Sequence, residues 1–150
     1  MSLSERVPVA SIGSVTAGLL FGVGWYVWID GCATAAMTDD PVKGEYWIPG
    51  LLQTIALVMV NVLNWGMLSD DAAFDTDNTA AMAKCWVFFA FVVAFSGIIG
   101  AVWIMVEENN RPSGEGAMWA SVAGLLQNVF IFVSSLIFRF ARMQSDTPGF

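Results

Sequence analysis

The sequence predicts an all-α, polytopic membrane protein: one domain over residues 1–150, folded as a four-helix transmembrane bundle. Three observations predict it. Hydrophobic residues make up 57% of the 150-residue chain and charged residues only 13%, where a soluble domain carries about 25% charged residues. The apolar residues gather into four stretches, each near the ~20 residues that cross a ~30 Å hydrocarbon core as a helix. The connections, about 10 to 17 residues each, are too short to hold a folded soluble domain, which usually exceeds about 50 residues.

The first stretch, Val9–Ile29, exceeds the ~7–15 residues of a signal-peptide apolar region and is preceded only by Arg6, so it reads as a retained helix. It carries Ser14, Gly18 and Gly22 at four-residue spacing, which lets helix backbones approach closely. The second stretch, Trp47–Leu68, carries Gln53, Asn61 and Asn64. At 100° per residue these amides fall within about 80° of one another, on a single stripe. The third, Lys84–Val106, carries the small residues Gly97 and Ala101. The fourth, Ala117–Phe138, carries Gln127 and Asn128 near its middle, followed by Ser134 and Ser135. An amide in hydrocarbon needs a partner, so helices 2 and 4 are expected to face each other with their amides bonded across the interface.

Seven tryptophans, Trp25 and Trp28 among them, lie near helix ends together with Tyr26 and Tyr46, the pattern of an aromatic belt at headgroup depth. Asp30 is the one carboxylate attached directly to an apolar run, and its interfacial position suits hydration or a helix-end contact. The other acids fall in loops and read as solvated: Asp39, Asp40 and Glu45, then Asp70, Asp71, Asp75 and Asp77, then Glu107, Glu108 and Glu115. An even number of crossings puts both termini on one side with Arg6, Lys84, Arg139 and Arg142, against Lys43 and Arg111 opposite. The excess of basic residues predicts cytosolic termini.

Several function classes are disfavoured. The chain has no histidine, the commonest metal ligand and proton shuttle. Its two cysteines, Cys32 and Cys85, fall on opposite sides of the membrane and supply neither a disulfide nor a zinc site. No catalytic residue, metal ligand or cofactor is expected beyond structural lipids. Six basic residues and a net charge of −7 argue against nucleic-acid binding.

The residues also resemble a known family. Gly18-Leu-Leu-Phe-Gly-Val-Gly-Trp-Tyr-Val-Trp-Ile-Asp30 is similar to the first helix of the transmembrane protein 50 family, whose fungal members are called vacuolar protein sorting 68. Further similarity runs through Ile55-Ala56, Met59-Val60-Asn61, Trp86, Ala94-Phe95 and Trp103-Ile104. It is strongest in helix 4, from Gln127-Asn128 through Phe130-Ile-Phe132 to Arg139-Phe-Ala-Arg142. The resemblance implies a non-enzymatic four-helix protein of endoplasmic reticulum, Golgi or endosomal membranes. It implies work in endosome-to-vacuole traffic, beside a second small four-helix protein similar to vacuolar sorting 55. The expected partners are therefore membrane lipids and other integral membrane proteins. The competing class is an accessory subunit of a large respiratory or photosynthetic membrane complex, and a small lipid or solute transporter ranks third.

Overall fold

The computed structural model describes residues 3–63, 78–111 and 115–146. All regular structure among them is helical: α1 (Leu3–Met37), a 3-10 turn (Gly44–Trp47) leading into α2 (Ile48–Val62), α3 (Thr79–Asn110) and α4 (Glu115–Asp146). Three helices contain segments long and apolar enough to cross a membrane, Val9–Met37, Thr79–Asn110 and Glu115–Met143. At 15 residues, α2 is about 22 Å long and is not one of them. The helix expected over Trp47–Leu68 closes sooner, at Val62, with Leu63 already extended, and residues 64–68 lie outside the described residues.

Local chemistry sets the ends. α1 runs past Ile29 because nothing there breaks it: Gly31 is tolerated, and Thr34 returns its hydroxyl to Asp30 O at 2.9 Å. It stops where Asp39 adopts φ 57° and Asp40 N–H reaches back to Ala35 O at 3.3 Å. That is a Schellman closure with aspartate in the left-handed position, followed by Pro41. Pro49 occupies the first turn of α2, where its missing N–H costs nothing. α3 ends at Arg111, whose extended backbone suits a residue preceding proline.

The tightest packing joins α1 to α4. Ideal Cβ atoms at Gly13, Gly24 and Gly31 would press on Ala141, on Gln127 O and Phe130, and on Ala120 and Ala123, respectively. Trp28 lies against Gly124, and Ser134 donates to Ala17 O at 2.6 Å. As the α1 number rises the α4 number falls, so the two helices are antiparallel. Ala17, Gly24 and Gly31 are buried seven residues apart, with Trp28 and Ala35 interleaved, which is the repeat of a left-handed helix pair.

This seam corrects the expected one. Gly18 and Gly22 are exposed, and a Cβ at either would meet nothing within 4 Å. Ser14 is half-buried and returns its hydroxyl to Ala10 O. The seven-residue repeat through Gly24 and Trp28 sets the phase of α1, turning the four-residue Ser14–Gly18–Gly22 stripe off the seam. Trp28 is likewise a core residue, 2% exposed and edge-on to Trp47 at 5.5 Å, because Gly124 leaves room for an indole there.

α2 and α3 form a second antiparallel pair. Pro49 lies beside Gly97 and Gly100, Gln53 bonds to Ala94 O, and Trp86 donates to Met59 O at 2.8 Å. On α3 the buried positions Ala83, Ala90 and Gly97 repeat every seven residues, as do Ala94, Ala101 and Glu108. The pairs meet through α4, which faces α3 at Phe95–Phe132 and runs parallel to α2, from Gly50 at Gln127 to Asn61 O at Arg142.

Candidate functional site

Two polar regions lie among these helices. The first is the interior junction of α2, α3 and α4. Gln53 and Gln127 are each 1% exposed and Asn128 is fully buried. They fit because glycines stand opposite: the Gln127 amide lies over Gly50, and Asn128 Oδ1 lies beside Gly97. Ala101 is buried one turn further along α3.

The amides do not bond one another across α2 and α4 as the sequence led us to expect. Gln53 reaches across to the backbone carbonyl of Ala94 on α3. Asn128 and Asn61 turn back to carbonyls four residues earlier in their own helices, Gly124 and Leu57, each at 2.8 Å. The glycines bring the backbones so close that an amide meets main chain before it meets another amide. Asn61 Oδ1, Gln127 Nε2 and Asn128 Oδ1 are buried with no hydrogen-bond partner among the described residues. Asn64 lies outside the described residues, as do Asp70, Asp71, Asp75 and Asp77.

The second region sits at the end of the molecule where α3 gives way to α4. Glu108, which the sequence places among the solvated loop acids, is instead helical and only 5% exposed. The Tyr46 hydroxyl, buried in the 3-10 turn, donates to Glu108 Oε1. Burial is the main cause that pushes the Tyr46 phenol well above its ordinary range, and the neighbouring Glu108 carboxylate adds to it. Arg111 Nη2 pairs with Glu107 at 2.9 Å and Arg111 Nη1 stands 3.7 Å from Glu108. Lys43 Nζ lies 5.7 Å from the centre of the Tyr46 ring, a cation–π distance. Lys43, Tyr46, Glu108 and Arg111, with Asp40, Ala117 and Ala120, surround a cavity of about 280 Å³.

Neither Glu108 nor Tyr46 was singled out from the sequence as a site residue. A signal existed. Glu108 lies seven residues after Ala101 and fourteen after Ala94, so extending the small-residue stripe of α3 predicts that it faces inward.

The remaining positions are simpler. Asp30 accepts from Trp119 Nε1 at 3.0 Å on an exposed face, tying α1 to α4. Trp25 tilts against Trp47 at 6.3 Å. An open space lies between α1 and α2. This apolar groove of about 200 Å³ includes Ser14, Gly18 and Leu57 and is floored by Ser134 and Phe138 of α4. Cys32 and Cys85 are free thiols.

Known proteins resemble this chain along most of its length. A family described as "Uncharacterised protein family (UPF0220)" matches residues 1–147. A protein of Dictyostelium discoideum named "Transmembrane protein 50 homolog" is 32% identical over 139 residues, covering 87% of this chain and 88% of its own. A UPF0220 protein of Schizosaccharomyces pombe is 24% identical over 139 residues, covering 88% and 81%, respectively. No solved structure matches. The match across nearly the whole chain, on a helical scaffold with three membrane-length apolar helices, shows that the chain belongs to the UPF0220 family, that of the transmembrane protein 50 proteins.

Proposed function

We propose that this protein is a non-enzymatic integral membrane subunit that acts in endosomal and vacuolar protein trafficking by lateral contact with another membrane protein. The observation that carries the reading is the exposed small-residue side of α1, where Gly18 borders the open groove toward α2. Gly18 and Gly22 lie on an exposed surface where a Cβ would meet nothing within 4 Å, so neither glycine is needed for packing inside the chain. In lipid, small residues on an open helix face allow a second helix to approach closely. The absence of histidine fits a protein that binds rather than catalyses. The family resemblance supplies the trafficking setting, the endosome, Golgi or endoplasmic reticulum membrane, and a small four-helix partner similar to vacuolar sorting 55.

The reading includes four crossings with cytosolic termini. α1 and α3 are both antiparallel to α4, so the chain has to return between them. α2, antiparallel to α3 from Pro49 to Met59, supplies the return.

Replacing Gly18 and Gly22 together by Leu tests the contact, with protein level and co-purifying membrane proteins measured side by side. The expected result is normal abundance with loss of the partner. A variant that stays abundant, keeps its partners and supports traffic removes α1 as the interface. Purified protein that alone moves a solute or turns over a substrate overturns the subunit reading.

A further inference from the structure

The cavity at the α3–α4 end has a chemistry that the trafficking reading does not use. Its charged groups balance: carboxylates from Asp40 and Glu108, cations from Lys43 and Arg111. Glu108 is fixed from two sides, by the Tyr46 hydroxyl and by the Arg111 guanidinium at 3.7 Å. Taking a carboxylate out of water is costly unless it is paired and hydrogen-bonded. The site is therefore held in place rather than assembled by chance at a surface.

Depth and neighbourhood narrow the ligand. The membrane-length segment of α3 ends at Asn110 and that of α4 begins at Glu115, a position between two span ends that suits headgroup depth. Directly beside the cavity, sharing Tyr46 as a wall, a laterally open groove of about 380 Å³ is lined by Ile48, Pro49, Gly100, Trp103 and Ile104, together with the carboxylates Glu45 and Glu107. From Glu107 down to Gly100 that groove descends two helical turns, roughly 10 Å. A pocket of mixed charge above and a mainly apolar slot below match one amphipathic molecule lying along the protein.

We infer that this composite site binds a phosphatidylethanolamine lipid. The phosphate sits between Lys43 and Arg111, the ammonium sits at Asp40 and Glu108, and an acyl chain runs along the Pro49–Gly100–Trp103 groove. Two cations can meet a phosphate, and the carboxylates of Asp40 and Glu108, with Glu45 and Glu107 alongside, call for a cationic group beside it, which favours a zwitterionic headgroup over an anionic one. A primary ammonium donates three hydrogen bonds and so uses the carboxylates fully. A quaternary ammonium donates none and calls for several aromatic faces, whereas Tyr46 is the one ring in the cavity among the described residues and Lys43 already covers it. At about 280 Å³ the cavity lies just below the ~300 Å³ where drug-sized pockets begin, the scale of a headgroup.

The test is native mass spectrometry of the purified full chain in mild detergent. It is titrated separately with phosphatidylethanolamine, phosphatidylcholine, phosphatidylglycerol and the soluble headgroup glycerophosphoethanolamine. Phosphatidylethanolamine should bind roughly tenfold tighter than the other two lipids, the equivalent of one hydrogen bond to a charged group. Glycerophosphoethanolamine should bind more weakly still, because it has no acyl chain. Lys43 is exposed, so Lys43→Ala should keep its melting temperature while losing several-fold in phosphatidylethanolamine affinity, and the double variant Lys43→Ala/Arg111→Ala, which also unpairs buried Glu108, should lose melting temperature as well as roughly tenfold in that affinity. Asp40→Asn, also at an exposed position, should narrow the gap between ethanolamine and choline lipids. Equal binding of all three lipids, a preference for phosphatidylglycerol, or unchanged affinity in the double variant overturns the site. Soluble headgroup binding as tightly as the lipid overturns the acyl groove.

Discussion

Gln53 and Gln127 are equally buried glutamines on neighbouring helices, yet their replacement should differ in sign. Gln53 donates across to Ala94 O. Gln53→Leu should therefore cost about 0.5–1.5 kcal/mol, the net worth of one such bond. Gln127 Nε2 has no partner among the described residues, so Gln127→Met removes a buried polar group without breaking a bond. It should be neutral or stabilising, as read by thermal unfolding of the two variants in one detergent. Tyr46 gives a pH-dependent counterpart. Its folded-state pKa is raised by burial and by Glu108, so its contribution is complete below the ordinary phenol pKa of about 10. That contribution drains away as pH rises past this value. Tyr46→Phe should flatten the part of the alkaline loss of stability that the native protein shows above that point. At this scale the sequence was legible in part. The amides Gln53, Gln127 and Asn128 were visible because polar residues in an apolar run stand out. Glu108 was hidden because it follows Glu107 at the polar end of a run, where an acid looks solvated unless the seven-residue phase of Ala94 and Ala101 is carried through to it.

The α1–α4 pair sets the energetics of the elements. Gly31 faces Ala120 Cα at 3.0 Å and Ala123 Cβ at 2.8 Å, measured from an ideal Cβ. A larger side chain there must displace backbone. Gly31→Leu should destabilise by about 1–3 kcal/mol or more, while Gly22→Leu, facing open space, should stay within about 0.5 kcal/mol. A shared thermal-shift assay separates them, and equal losses would show that α1 packs in a different phase. The existence of these helices was readable from hydropathy and length. The phase of α1 was not, because Ser14–Gly18–Gly22 and Gly13–Ala17–Gly24–Gly31 are both runs of small residues. Only the partner surface, with Ala120, Gly124 and Ala141, distinguishes them. The ends were also hard to read. α1 continues to Met37 because Thr and Ala after Gly31 are compatible with helix, and hydropathy reports where lipid ends rather than where hydrogen bonding ends.

For the whole molecule, the directions of the helices make the number of crossings a measurable quantity. With α2 as a full crossing, tags on the two termini lie on one side of the membrane. With three crossings they lie on opposite sides. Protease treatment of sealed vesicles bearing both tags should cut both or neither, and the basic residues Arg6, Lys84, Arg139 and Arg142 favour the cytosolic face. Mixed protection would remove α2 from the membrane. This level was the least legible in advance, since contacts between distant helices leave no periodic trace in a single chain. The pairing of α1 with α4 also has a consequence in time. Helices enter the membrane in the order of synthesis, so α1 is delivered first and its partner last. Until Ala120, Gly124 and Ile131 emerge, the notch at Gly24 and Gly31 stands open to lipid and to any passing helix. Each newborn molecule therefore passes through an interval in which its best helix-binding surface is unclaimed. The roughly 100 residues from Gly31 to Ile131 take about 5–20 s to add at ordinary elongation rates, and that sets the length of the interval.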